Sequence, residues 1–578
     1  MNRLLRVGTV LLALSTVLLP RLWLLAAEDE AVPTDRLLPP DVSVYVSIPS
    51  VDDLKARWGH TAFGGIAEDP AFEPFKNEIS KVLEHLSGEV EKNLGVTLKD
   101  LLEVPSGELA AAVLTPPGQK ISAVLFLDFG DNEKTVEALL DKAEKALEEQ
   151  GATSDDEEID GTKTTVWTLK KEDEEDQKPN HLVYFTKDTM LVLSSDLDTA
   201  KAVLTRWDGK HSDTFADNDN YNLILEKCKT DDEDGLLVWY INPLGLVQAA
   251  IMQAAAANPQ AQLAMVFLEP LGINGVKAVG GSFDMGTEKF DSVSKTFLFI
   301  EQPTKGLLNV FQFPAAEQKP PRWVSSNASA WFSLNWDIAG AFKAVGLLVD
   351  MMPNGGPGKF ESLIEQLAQQ EPKVHIKKDL IDLLSGRIQV VVEPGKKTSD
   401  AAAQDRVVVA LGLKDAKKFQ GTLAKITKVP GFPGKTREFK GSTIYEFEVP
   451  DFTGGGEPKQ AGLAVGKDQL LLSNDVTSLE AMLRGDTDGD ALVDSAAYKK
   501  IAEHLPAKAS IVSFSRQDSQ LETLWSTARS GQFHAAIPDV DFSKLPEFDA
   551  VRKYLSPGGG YAVPDMKGVL FVGFSGKP

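Results

Sequence analysis

The sequence predicts an α+β fold: an antiparallel sheet unit with helices packed on one face, used twice in tandem and linked by a long β-hairpin. Three observations predict it. Stretches with the period-two alternation of half-buried strands are interleaved with stretches whose apolar residues recur at helical spacing. Strands come in pairs joined by tight turns, the pattern of hairpins rather than of parallel crossovers. Ordered segments also recur about 280 residues apart along the chain.

Residues 43–48 alternate small polar with apolar side chains, which predicts a strand with one buried face. Helical spacing follows over 51–58 and 71–92, where Phe72, Phe75, Ile79, Val82, Leu83, Leu86 and Val90 form one stripe. Apolar strands are expected near 108–114 and 121–129, then a helix at 132–149. Four short strands fall near 153–159, 163–169, 181–186 and 189–195, with Asp188 turning the last pair. A helix at 197–207 ends at Asp208-Gly209; a helix at 221–229, a strand at 235–241 and a helix at 243–257, stopped by Asn258-Pro259, follow. The long hairpin is expected at 276–285 and 290–300, and 314–322, with Pro320-Pro321, reads as a linker. A strand at 568–574 takes the place of that hairpin in the second unit.

The repeat rests on six matches in the same order. Ser43-Val44-Tyr45-Val46-Ser47-Ile48 matches Ser329-Ala330-Trp331-Phe332-Ser333-Leu334, and Gly107-Glu108-Leu109 matches Gly386-Arg387-Ile388. Gly161-Thr162 matches Gly441-Ser442, Lys187-Asp188 matches Lys467-Asp468, Asp208-Gly209 matches Asp488-Gly489, and Tyr221 matches Tyr498. The expected organisation is a signal peptide at 1–27, a first unit at 28–268, a connecting hairpin and Pro-rich linker at 269–321, and a second unit at 322–578.

Arg3 and Arg6, the apolar run 7–20 and Leu25-Ala26-Ala27 have the basic, apolar and small-residue order of a secretory leader. Pro20 and Arg21 end the run before it reaches the roughly 20 residues that a bilayer span needs. An exported protein, periplasmic or extracellular, with no integral membrane span after leader removal is therefore expected. Loss of Arg3, Arg6 and Arg21 takes the net charge from −24 to −27, a surface that repels nucleic acid and anionic membranes. Cys228 is the only cysteine, so no internal disulfide forms, and its apolar neighbours Leu223, Ile224 and Leu225 predict a buried helix thiol.

Pro39-Pro40-Asp41-Val42-Ser43-Val44-Tyr45-Val46-Ser47, Glu68-Asp69-Pro70-Ala71-Phe72 at the opening of a helix, and Leu191 to Ser195 before the helix ending at Asp208-Gly209 carry a resemblance. The chain resembles the domain-of-unknown-function family 3352, a family of uncharacterised exported bacterial proteins. That resemblance implies export and supplies no activity or catalytic residue.

The signatures of several chemistries are incomplete. Zinc sites need imidazoles or thiolates at turn or helical spacing, whereas His60, His85, His181, His211, His375, His504 and His534 are widely separated. Gly434-Lys435-Thr436 looks like the end of a phosphate loop, but Val429 stands where the first glycine belongs, and Pro430 and Pro433 remove two amides. Ser292 and Lys295 have the spacing of a serine activated by lysine on a helix; on the strand expected there they point to opposite faces. Asp486, Asp488 and Asp490 resemble the start of a calcium loop, with Ala491 in the glycine position and Ala497 in that of the bidentate glutamate. The acidic runs 155–160, 172–176 and 231–234 read as solvated loops. Trp331 and Trp336 are expected in core packing, with sugar stacking as the alternative for exposed rings.

No catalytic, cofactor-binding or metal-ligating residue is therefore assigned, and no cofactor. The expected function is that of a non-catalytic exported envelope protein, a scaffold or binding protein for an unknown protein or cell-envelope partner, and not an enzyme. The alternative is a periplasmic carrier of apolar ligands, on the Ala-rich helix 247–257 and the apolar stretch 263–268. An unrecognised hydrolase stands behind both.

Overall fold

The computed structural model describes residues 32–578 apart from 95–96, 98–103, 171–179, 231–234, 353–354, 396–404, 431–433, 450–458, 486–489, 535–536 and 538–539. The leader, two of the acidic runs and Asp486 to Gly489 of the calcium-like turn thus lie outside the described residues.

Strands alternate with helices as the periodicities require, and all the strands join one antiparallel sheet. The first ten are β1 Val42–Ile48, β2 Leu109–Leu114, β3 Ser122–Asp128, β4 Thr153–Ile159, β5 Thr162–Leu169, β6 Asn180–Lys187, β7 Met190–Ser194, β8 Leu237–Ile241, β9 Val276–Met285 and β10 Phe290–Ile300. The second ten are β11 Ala330–Asn335, β12 Leu384–Glu393, β13 Arg406–Leu413, β14 Lys435–Phe439, β15 Ser442–Val449, β16 Lys459–Val465, β17 Gln469–Ser473, β18 Ile511–Arg516, β19 Pro557–Asp565 and β20 Gly568–Gly576. Pairing runs β4-β5-β6-β7-β3-β2-β1-β8-β9-β10 in one half. It runs β14-β15-β16-β17-β13-β12-β11-β18-β19-β20 in the other, and β10 pairs with β20.

The order is the same in both halves when read outward from the β10–β20 pair. At the centre Lys295 faces Val572, flanked by Val293 opposite Phe574 and Phe297 opposite Leu570. Phe297 and Phe574 hold matching places, since Phe297 faces Gly280 on β9 and Phe574 faces Gly559 on β19. The hairpin expected to connect two units is thus the centre of a single sheet. No periodicity predicts β19, whose Gly558-Gly559-Gly560 run looks like a loop; the close approach of a helix requires glycine there.

Helices cover both faces of the sheet, not one, because side chains of consecutive strand residues enter different cores. Ile444 joins the core with Trp331, Phe514 and Leu479, while Tyr445 joins Phe419 and Leu423 of helix Ala416–Ile426 on the opposite face. Phe126 and Leu127 divide in the same way, Leu127 packing with Val136 of helix Glu133–Glu149. Charged β4, the strand expected at 153–159, forms one edge, with Asp156 paired to Lys163 at 3.0 Å; residues 155–159 of the acidic run are thus an exposed edge strand, and Asp160 begins the turn to β5. Charge on an edge discourages pairing with another chain. Among the described residues no helix is long and apolar enough to cross a membrane.

Candidate functional site

The residues singled out by motif are held in structural roles. Cys228 ends helix Asp219–Cys228 and is buried, and that burial pushes its thiol up to about 12. Ser292 Oγ lies 2.8 Å from Ser575 Oγ, whereas Lys295, on the other face of β10, donates to the Lys229 carbonyl. Lys435 and Thr436 begin edge strand β14, so a strand rather than a helix N-terminus follows Gly434. Trp331 is fully buried, its indole N–H donating to Gln389 Oε1 at 3.2 Å. Asp188 turns the β6–β7 hairpin with φ 51° and accepts from the Trp207 indole at 2.7 Å. His375 Nε2 lies 3.2 Å from Glu365, and the His504 ring stands 4.8 Å edge-on to that of Phe290. Among the described residues no cluster of three or more His, Cys, Asp or Glu side chains could hold a metal ion.

A polar cluster that no spacing announces lies in the first half. Glu108 Oε1 accepts from Thr34 Oγ1 at 2.7 Å, Ser47 Oγ at 2.6 Å and Tyr45 OH at 3.2 Å, and Oε2 accepts from the Thr34 amide at 3.0 Å. Beside it, Tyr221 OH donates to Asp35 Oδ2 at 3.3 Å. Burial, reinforced by the charge of Glu108, raises Asp35 above the ordinary carboxylate value, and burial raises both tyrosines. The second half has Arg387, Trp331 and Tyr498 in place of Glu108, Tyr45 and Tyr221. The cluster fastens residues 34–37 to the sheet and is not shared by the two halves.

A cavity of about 650 Å3 opens in the second half. Small-molecule sites span about 300–1,000 Å3. Its walls are the ends of β11 and β12, the β19–β20 turn and the segment after β10; Ile300, Phe311, Phe313, Trp336, Leu384 and Met566 supply apolar surface. Asn335, Asp337, Ser385, Lys414 and Asp565 supply polar groups, and no histidine or cysteine lines it. Trp336 sits one residue past β11, and its indole N–H donates to the Val310 carbonyl at 2.7 Å, which fixes its ring in the wall. Trp336 is thus a lining residue of this cavity, unlike Trp331. A second depression of about 680 Å3, between helix Glu133–Glu149 and β5–β6, is lined largely by charged groups such as Glu137, Asp141 and Glu144.

The helix that follows the first strand is seated differently in the two halves. The amides of Val51 and Asp52 donate to the carbonyls of Gly107 and Ser106 at 2.9 and 3.0 Å, laying helix Val51–Trp58 across the start of β2. From that helix Arg57 reaches Asp284, near the end of β9, at 3.1 Å. In the second half helix Ile338–Met351 packs instead against Gly306–Phe311, and its first residues, Ile338 and Ala339, line the cavity. No protein-family profile, curated protein or solved structure matches the chain.

Proposed function

We propose that this is an exported, non-catalytic binding protein of the cell envelope, descended from a duplicated α+β unit, whose ligand occupies the cavity beside Trp336. The observation that carries the reading is the asymmetry of the two halves: their strand orders agree, yet helix Val51–Trp58 lies across the start of β2, whereas helix Ile338–Met351 packs on Gly306–Phe311 beside about 650 Å3 of space lined by more apolar than polar surface. A group that serves only the frame is expected in both halves; a departure confined to one half marks a specialised use. The leader-like N-terminus and the resemblance to exported bacterial proteins support export.

Two polar groups of the lining, Asp337 and Ser385, are engaged in holding the fold. Asp337 caps helix Ile338–Met351 through the Gly340 amide at 2.9 Å, and Ser385 accepts the Arg387 amide at 3.4 Å. The test is mass spectrometry of small molecules released on denaturing the purified protein, with an Ala339→Trp variant that fills the cavity. A released molecule that disappears in this variant is expected. Hydrolytic turnover abolished by Ser385→Ala would replace this reading with the hydrolase.

A further inference from the structure

We infer that the cavity takes an anionic amphiphile, an acyl or aryl body lying against Trp336 and Phe311 with its acidic head at Lys414; the inference rests on the cavity being the ligand site. Three charged side chains line the cavity. Two are already neutralised or occupied. Asp565 pairs with Lys227 at 2.8 Å and accepts the Lys567 amide at 2.9 Å, and Asp337 is the helix cap. The Lys414 ammonium has one hydrogen bond, to the Asp382 carbonyl at 3.4 Å, and forms no ion pair among the described residues. Lys414 is therefore the charged group of the lining that, among the described residues, neither an ion pair nor a helix cap holds.

Lys414 is also specific to this half. It follows Leu413, whose amide donates to the Asp468 carbonyl in the β16–β17 turn at 2.7 Å; Phe129 makes the same bond to Thr189 in the β6–β7 turn at 2.9 Å and is followed by Gly130. The cation thus stands beside the cavity in the second half, and Gly130 holds its place in the first. At the mouth Phe311 is 52% and Met566 90% exposed, large apolar surface that an acyl chain entering the cavity would cover. The overall negative charge of the protein acts weakly on such a head, since separations beyond about 8 Å are screened at physiological ionic strength, so the nearest cation decides.

The test titrates the purified protein with dodecanoate and with dodecanol by calorimetry, and with bromine-labelled dodecanoate by tryptophan fluorescence. Dodecanoate is expected to bind saturably and more tightly than dodecanol. Lys414→Met is expected to weaken dodecanoate about tenfold, the scale of one charge-assisted contact, and to leave dodecanol unchanged. Trp336→Phe is expected to remove most of the bromine quenching while calorimetric binding persists. Equal affinity for acid and alcohol, or an unaffected Lys414→Met, overturns the anionic head and leaves the cavity as ligand site. Quenching undiminished in Trp336→Phe overturns the placement in this cavity. Absence of saturable binding by either compound overturns the inference, and the ligand-site reading then stands or falls on the released-molecule experiment.

Discussion

Gly559 lies directly beneath Ile501: a Cβ built on this glycine would stand 2.3 Å from Ile501 Cγ2. In the first half Gly280 lies beneath Ile224 in the same way, with 2.7 Å to Ile224 Cγ2. Each glycine lets a short helix, Ala496–Ala502 or Asp219–Cys228, settle onto its hairpin. Gly559→Ala is expected to destabilise by about 1–3 kcal/mol, the usual cost of overpacking. Gly421 in helix Ala416–Ile426 has nothing within 4 Å of its built Cβ. Gly421→Ala should therefore stabilise by about 0.5–1 kcal/mol. Denaturant midpoints of the two variants should move in opposite directions.

Asp69 ties the segment before helix Glu73–Leu94 to the C-terminal part of the chain. Its carboxylate meets Lys553 at 2.7 Å, the Ala71 amide at 2.9 Å and Tyr554 OH at 2.9 Å. These contacts, Lys553 foremost, hold it down at about 2, from an ordinary 3.8. A depressed carboxylate contributes stability above its unfolded value and loses it as the pH falls through the folded one. Asp69→Asn should thus be less stable than the native protein near neutral pH, with the gap closing between 3.8 and about 2. Thermal unfolding across that pH range checks it.

Asp35 behaves in the opposite sense. Burial and the Glu108 charge raise it above 3.8, so its contribution is complete below that value and is lost as the pH rises. Asp35→Asn is therefore expected to raise stability near neutral pH, an advantage that vanishes in acid below 3.8. Glu108→Ala leaves the Thr34 amide and the Ser47 hydroxyl without their acceptor; at roughly 1–3 kcal/mol for an unsatisfied buried group, it should free residues 34–37 for proteolysis. Limited digestion followed by N-terminal sequencing reads that release.

The buried Cys228 thiol, raised to about 12, is almost wholly protonated at neutral pH. The thiolate is the reactive form. Iodoacetamide should therefore label the native protein far more slowly than the denatured one, and labelling should track global unfolding. Fast native labelling would show that helix Asp219–Cys228 opens locally.

Local pattern determined much of this protein. The alternation of Phe290–Ile300, the helix Pro243–Ala257 between its Asn-Pro flanks and the Asp188 turn all stand where periodicity and turn chemistry place them. These signals are legible because a residue's exposure, repeated every second or every third to fourth position, follows from the element it belongs to. The same sequence carried no sign of β19, because its glycines are demanded by Ile501, far away in the chain and brought close only by packing. Pairing of β10 with β20, helices on both faces, the Glu108 cluster and the cavity at Trp336 and Lys414 were likewise decided by tertiary structure. Each joins residues whose proximity depends on strand order, and strand order is set by which apolar faces can be buried together rather than by any local preference.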